Sequence, residues 1–288
     1  MKKVLLVDGM ALLFRAFYAT SVYGQFMKTS NGTPTNGIHG YMKHLLAAMK
    51  ATQPTHVIAC WDMGSTTFRT ESFEQYKANR VAPPEELIPQ FDLVKDITDV
   101  LDIPNVGMKG YEADDCIGTL ARLYKQEAEV FIVTGDTDLL QLVDENVTVL
   151  LLRKGIGNYE YYTPDKIREE KGVDPWQIVH AKAFMGDTSD NYPGVKGIGE
   201  KTAYKLIQQF DSVHGVLENL MLLTKAQRTK IEGDLENLHM SLHLAQIHCE
   251  VPIICALEEA IVAIDEMKIK KVCEHMEWRR PEQLLAML

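Results

Sequence analysis

No stretch of this sequence reaches the roughly 18 consecutive apolar residues that a membrane-crossing helix needs. The N-terminal run Val4-Leu5-Leu6-Val7 meets Asp8 too soon for a signal peptide and lacks a cleavage site, so it reads as a first strand. Cysteine is sparse. Cys60, Cys116, Cys249, Cys255 and Cys273 are an odd number at scattered spacing, with no Cys-x-x-Cys pair. That excludes a zinc ribbon and a disulfide framework, and implies free thiols in a reducing compartment. Positive charge is also short: 30 Lys and Arg stand against 40 Asp and Glu, a net charge of −10. Taken alone, this deficit argues against a polyanionic partner, because phosphate binding relies on Lys and Arg. The sequence holds neither a Gly-x-x-x-x-Gly-Lys-Ser/Thr loop nor a Gly-x-Ser-x-Gly elbow, which removes P-loop enzymes and the usual α/β hydrolases.

What is present is an ordinary globular composition, 46% hydrophobic and 24% charged over 288 residues. That length suits one large domain or two modest ones and can bury a core without disulfides or a structural metal. Near-continuous apolar runs at 2–8, 55–62, 129–136 and 147–153 suit strands buried on both faces, as in a parallel sheet. Helical periodicity over 37–50 and 112–125 fills gaps between them, so the first part is expected to be an α/β core with a mostly parallel central sheet flanked by helices. From about residue 164 helical patterns dominate, at 164–171, 175–185, 200–209, 224–247 and 265–276. The expected division is an α/β domain over 1–169 and a helical domain over 170–288, packed tightly because no long Gly/Ser linker separates them. Residues 63–90 fit neither pattern. They are polar, contain Pro83-Pro84, and mix Arg69, Lys77 and Arg80 with Phe68, Phe73 and Tyr76. A connection of this length is functional or disordered. Read as too polar to pack and too long for a plain connection, the segment is expected to be mobile in the free protein and to become helical on binding its ligand, with the aromatics lining a strand path or bracing the segment against the core.

Three of the apolar runs end in Asp: Asp8, Asp62 and Asp136. Ligands of an open α/β sheet bind outside the carboxyl ends of its strands, so three acids there suggest a shared site. Glu112, Asp114 and Asp115 open a helix whose N-terminus tolerates negative charge. Asp138 follows Asp136, and Asp187 and Asp190 stand three apart near the domain boundary. Nine carboxylates in one cleft would repel one another without counter-charge. Hard divalent cations supply it, and an all-oxygen set with no His or Cys favours Mg²⁺ or Mn²⁺. Setting these nine acids aside moves the formal charge from −10 to −1, so the acidity does not exclude a polyanionic partner.

Residues 191–203 run Gly194, Gly197 and Gly199 into a helix, with Lys196, Lys201 and Lys205 nearby. The order is G-x-x-G-x-G after a helical region, unlike a dinucleotide fingerprint. A glycine-rich turn at a helix start presents backbone N–H groups to phosphate, and binding through such contacts is independent of base sequence.

Taken in order, Asp8-Gly9, Trp61-Asp62, Phe68-Arg69, Tyr76-Lys77 to Arg80, Tyr111 to Asp115, Thr134 to Gln141, Gly186 to Asn191 and Pro193 to Gly199 resemble the bacterial 5′ nuclease (flap endonuclease) family. That family includes the 5′–3′ exonuclease domain of DNA polymerase I, and the resemblance runs from about residue 2 to about 255. It implies a metal-dependent phosphodiesterase acting on DNA with a 5′ end or 5′ flap in replication and repair, leaving a 5′-phosphate. Two Mg²⁺ ions would sit about 3.5–4 Å apart. Asp8, Asp62, Glu112, Asp114 and Asp115 match the first-metal group and its surround. Asp136, Asp138, Asp187 and Asp190 match the second-metal group. Residues 63–90 resemble a helical arch through which the 5′ strand passes, with Lys77 and Arg80, and Arg69 beside them, holding the scissile phosphate. Residues 185–209 match a helix–three-turn–helix motif that binds duplex backbone, with a K⁺ ion held by loop carbonyls. The resemblance also implies a monomer in the cytoplasm, at the nucleoid. No polymerase sequence follows residue 288, so a freestanding enzyme is expected. The alternatives weighed are a nuclease of the same fold acting mainly on RNA–DNA primers, a catalytically silent DNA-junction binder, and a phosphatase of unrelated fold. The last is disfavoured because Asp8-Gly9-Met10 stands where Asp-x-Asp would be expected.

Overall fold

The computed structural model describes residues 1–22, 24 and 26–288. Alternate residues of an extended strand face opposite sides. In strand β1 (Lys2–Asp8) all of Val4–Val7 are buried, so both faces of this strand must be covered. Val4 and Leu6 enter one core, and Leu5 and Val7 the other. The remaining strands are β2 (His56–Cys60), β3 (Asn105–Val106), β4 (Ala128–Thr134), β5 (Val147–Leu152) and β6 (Tyr159–Tyr162). They form one sheet in the order β3-β2-β1-β4-β5-β6, parallel except for the β5–β6 pair. The apolar-run reading finds β1, β2, β4 and β5. It misses β3, which has only two residues, and β6, a partly exposed four-residue edge strand of sequence Tyr-Glu-Tyr-Tyr.

From β1 the chain builds outward to β2 and β3, then returns to add β4 on the other side of β1. The switch point therefore lies between β1 and β4, where an open α/β sheet places its ligand. Helices α1 (Gly9–Thr20), α2 (Asn36–Thr52) and α4 (Gln90–Val100) cover one face, and α5 (Ala113–Tyr124) the other; α3 (Phe68–Ser72) lies within the connection from β2. The helical part follows as α6 (Pro164–Lys171), α7 (Ile178–Met185), α8 (Glu200–Phe210), α9 (Val213–Glu218), α10 (Lys225–Gly233) and α11 (Leu235–Ala245). Val195, Ile198, Ala203, Leu206 and Ile207 join the core that β1, β4 and α5 build, so the two parts share one apolar interior.

Two details depart from the periodicity. The pattern over 224–247 is two helices, broken at Gly233-Asp234, where the Asp234 carboxylate accepts from Lys196 N (2.8 Å). The final helices α12 (Glu266–His275) and α13 (Glu282–Leu285), read with the helical domain from composition, pack on the α/β layer: Ile269, Val272, Cys273 and Leu284 lie in the core with α2 and α4. Val262 N reaches Thr55 O (2.9 Å) on the way.

Candidate active site

A cleft of about 480 Å³ opens at the switch point. Eight of the nine acids singled out from the sequence line it: Asp8, Asp62, Glu112, Asp114, Asp136, Asp138, Asp187 and Asp190. The backbone explains each placement. Asp8 ends β1 and caps α1, accepting from Ala11 N (2.9 Å). Asp62 lies just beyond β2 and accepts from Ala113 N (2.8 Å), at the positive end of the α5 dipole. Asp114 sits in the first turn of the same helix. Asp136 accepts from Asp138 N (2.8 Å), a tight Asp turn leaving β4. Gly186 ends α7, and Asp187 then folds the next turn by accepting from Ser189 N and Asp190 N.

Crowding and burial show in the acids themselves. Burial, aided by the neighbouring charges of Asp62 and Asp136, pushes the Asp8 carboxyl up to about 6 despite its bond from Thr134 Oγ1 (2.7 Å). Asp114 is driven well above the ordinary carboxylate range by burial and by Asp136 and Asp8. Asp136 is raised by burial too, with Lys182 opposing. Asp187 goes the other way: burial would raise it, but the ammonium of Lys182 holds it low.

The cations in the cleft bridge acids. Lys77 Nζ donates to Glu112 Oε1 (2.6 Å) and stands 3.9 Å from Asp190 Oδ2, while Arg80 donates to Asp190 Oδ1 (2.8 Å). Tyr76 Oη lies 3.1 Å from Glu112 and 3.0 Å from Asp190. Lys77 holds a left-handed backbone, φ 55°, the kind of local strain that gathers at functional sites. In the chain without DNA, helix within 63–90 is confined to Phe68–Ser72 and to Gln90, the first residue of α4, and Lys77 and Arg80 reach the cleft from a turn. Polar as it is, the segment packs. Thr67, Arg69, Tyr76, Leu87 and Gln90 are buried, and Tyr76, with Phe73 against it, packs on Val179, Tyr192 and Leu244, so these aromatics brace it.

Could this cleft hold divalent metal? The donors are all carboxylate oxygens, and burial and mutual repulsion make charge costly on Asp8, Asp114 and Asp136, a cost that a divalent cation would offset, so the chemistry fits Mg²⁺ or Mn²⁺. The side chains ring the cleft without closing on one point: among the described residues no three His, Cys, Asp or Glu form a ready-made ligand set.

Two expected site residues are placed elsewhere. Arg69 is only 2% exposed and does not face the cleft. Its guanidinium donates twice to Asp115 (2.8 Å each), to Leu244 O (2.9 Å), to Gln246 O (2.7 Å) and, at 3.3 Å, to Glu112 Oε2 from behind the cleft. Asp115 is fully buried and also accepts from Glu112 N (3.0 Å) and His248 N (2.8 Å). The two residues therefore satisfy each other and tie the 63–90 segment, α5 and the end of α11 together. Arg69→Met is expected to cost about 3–5 kcal/mol of stability, because it strands a buried carboxylate. The double variant Arg69→Met/Asp115→Asn should recover part of that loss in denaturant melts; equal losses would mean that the charge of Asp115 is not what Arg69 balances.

The glycine loop divides as well. Gly194, expected at a phosphate, is buried with φ 61°; a Cβ there would lie 2.3 Å from Gly186 N, so its glycine serves internal packing. Lys196, Gly197, Gly199, Lys201 and Lys205 are exposed. Gly197 O accepts from Lys230 Nζ (2.9 Å), which brings α10, with Lys225 and Arg228, beside the loop.

Sequence reasoning missed Lys182, Tyr76 as an acid partner, Thr134 and Lys230. Thr134 links the strand ends, donating to Asp8 and accepting from Asp136 N (2.9 Å). Its position at the end of an apolar run, two before Asp136, was a usable signal. Lys182 sits inside an apolar helix five residues before Asp187, a buried-cation signal that periodicity alone passes over.

Comparison with known proteins follows the same lines. The sequence profile described as the 5′–3′ exonuclease N-terminal resolvase-like domain matches residues 3–172, and that of the 5′–3′ exonuclease C-terminal SAM fold matches 173–270. A Bacillus subtilis protein named 5′–3′ exonuclease is 54% identical over 286 residues, covering 99% of this chain and 97% of that one. DNA polymerase I of the same organism is 41% identical over 254 residues, 88% of this chain but 28% of the polymerase. Among solved structures, the bacteriophage T5 D15 flap endonuclease, in a complex with DNA and metal ions, superposes with a TM-score of 0.70 at 23% identity over 99% of both chains. The catalytic core of Rad2 with DNA substrate does so at 0.61 and 14%, over 100% of this chain and 91% of that one. At those identities the structural likeness speaks for the fold alone.

Proposed function

This chain belongs to the 5′–3′ exonuclease/flap endonuclease family of metal-dependent phosphodiesterases, and from that premise we propose that it hydrolyses DNA at a 5′ end or at the base of a 5′ flap, leaving a 5′-phosphate. The observation that carries the reading is the meeting of eight carboxylates in one cleft at the sheet's switch point, with Lys77 and Arg80 on its wall. Asp8, Asp62, Glu112 and Asp114 would hold one Mg²⁺, and Asp136, Asp138, Asp187 and Asp190 a second, with Mn²⁺ able to replace either. Bound there, such ions supply Lewis acidity and an activated water for phosphodiester hydrolysis.

The chain's own residues do the positioning. Lys77 and Arg80 exchange their carboxylate partners for the scissile phosphate, and their charge acts where negative charge builds on the phosphoryl oxygens. They also line a second cavity of about 600 Å³, walled by Met10, Phe14, Met63, Val81 and Phe91. An apolar, aromatic-walled space beside a phosphate site suits the stacked bases of a single strand. Lys196, Gly197, Gly199, Lys201 and Lys205 receive the duplex backbone, with Lys230 at their edge. A K⁺ ion on the loop carbonyls belongs to the same reading, and at Gly197 O it would share or replace an ammonium. The enzyme would act as a monomer, in the cytoplasm at the nucleoid.

The test is cleavage of a labelled 5′-flap duplex with and without Mg²⁺, the cut mapped to one nucleotide. A ribonucleotide 5′ segment in the same assay separates primer RNA from DNA. Binding without any Mg²⁺-dependent cleavage would leave a junction binder instead.

The loop has its own test. Gly197 has φ 80°, and a Cβ there would meet Lys230 Nζ at 2.9 Å, so Gly197→Val should loosen both the loop and its grip on DNA. Gly199 is cleaner: its φ is −95°, and a Cβ would meet nothing within 4 Å among the described residues. Gly199→Val should keep the melting temperature near that of the parent while weakening duplex binding about tenfold, the worth of about 1.4 kcal/mol of lost backbone–phosphate contact. Unchanged affinity at moderate salt would make the loop structural only.

A further inference from the structure

The two halves of the acidic cleft are neutralised differently. In the half of Asp8, Asp62, Glu112 and Asp114 only Glu112 is salt-bridged, by Lys77 (2.6 Å) and at longer range by Arg69 (3.3 Å), whose main partner is Asp115; Asp8, Asp62 and Asp114 have no salt bridge among the described residues. In the other half, Lys182 donates to Asp138 and to Asp187 Oδ2 (2.8 Å). Lys182 is 5% exposed and rises from α7 between the buried Ala181 and Ala183. Lys77 and Arg80 sit on a turn with their side chains partly in solvent and can swing aside. An ammonium as enclosed as that of Lys182 has no solvent route to take.

We propose that Lys182 is a resident counter-ion that competes with divalent metal for Asp138 and Asp187, so that the free protein loads metal in the Asp8–Asp114 half first. The proposal rests on the metal reading above. A cation entering between Asp138 and Asp187 must share both carboxylates with a fixed positive charge a few ångströms away, and repulsion at that range in a poorly solvated cleft weakens binding strongly. The same ammonium keeps the two acids charged and in place while no metal is bound. Its function is therefore to grade the two metal affinities.

The experiment is calorimetric titration of MnCl₂ into the metal-free full chain without DNA, for the parent, Lys182→Met and Lys182→Arg. The parent should show one tighter and one weaker class of site. Lys182→Met should tighten the weaker class at least about tenfold, and Lys182→Arg, which keeps the charge, should not. Removal of the ammonium should also lower the metal-free melting temperature and enlarge its rise on adding MnCl₂. If Lys182→Met does not melt cooperatively, Lys182→Gln, neutral and still a donor to Asp187, carries the same expectation. A parent with two classes and a neutral variant whose weaker class is unchanged or weaker would overturn the role of Lys182 alone. A parent that binds no Mn²⁺, and behaves like Asp8→Asn/Asp114→Asn, would overturn the metal reading and this proposal with it.

Discussion

Asp136→Ala is expected to lower the single-turnover cleavage rate about a hundred- to a thousandfold at saturating Mg²⁺, with DNA affinity largely kept. Asp136 stands at the centre of the cleft by its electrostatics: it raises the carboxyls of Asp8 and Asp114, and Lys182 and Lys77 both act on it. A residue that feels both halves of the acid set is the one whose loss should affect both metals. Duplex binding is assigned to the loop and lysines of α8, on other elements, and removal of an acid only lessens repulsion of phosphate. Asp187→Ala should share the rate defect and add a structural one, because Asp187 also holds the turn through Ser189 N and Asp190 N. The pair is read by quenched-flow cleavage alongside equilibrium binding. Near-parental cleavage by Asp136→Ala would remove it from the catalytic set.

Lys77→Ala is expected to lower the same rate about a hundredfold while affinity for the flap substrate changes only severalfold. In the structure the Lys77 ammonium is held by Glu112 and by Asp190, and both keep it charged against the opposing effect of burial. Lys77 lines both the acidic cleft and the apolar cavity, so a phosphate between them would lie within its reach. Its charge matters most when the phosphoryl oxygens gain charge, which is after binding. Lys77→Arg should recover part of the rate, and the left-handed backbone at this position predicts that Lys77→Gly alone leaves the fold undisturbed. A duplex without a flap, bound mainly by the helical part, is the control and should bind as before. Weakened binding with an intact rate would make Lys77 an ordinary phosphate contact.

Much of this was legible in one dimension. An apolar run of four to seven residues that ends in Asp states both that a strand is buried on two faces and that an acid leaves it at the carboxyl end. Three such strands place Asp8, Asp62 and Asp136 together before any contact is known. Acid blocks at helix starts, Glu112 to Asp115, follow equally from local electrostatics. What the chain could not state locally is which polar group meets which. Arg69 looks like a free cation in a polar segment, yet its partners lie 43 to 177 residues away, from Glu112 and Asp115 to Gln246. Gly194 and Gly199 are alike in the sequence, but Gly186 packs against one and open space faces the other. Lys182 reads as an odd charge in an apolar helix until Asp138, from a different domain of the fold, is brought to it. The spacing of apolar residues is set by the repeat of the backbone and shows in short windows. The burial of a charge is tolerated only where a distant partner repays its desolvation, and only the tertiary structure decides where that partner stands.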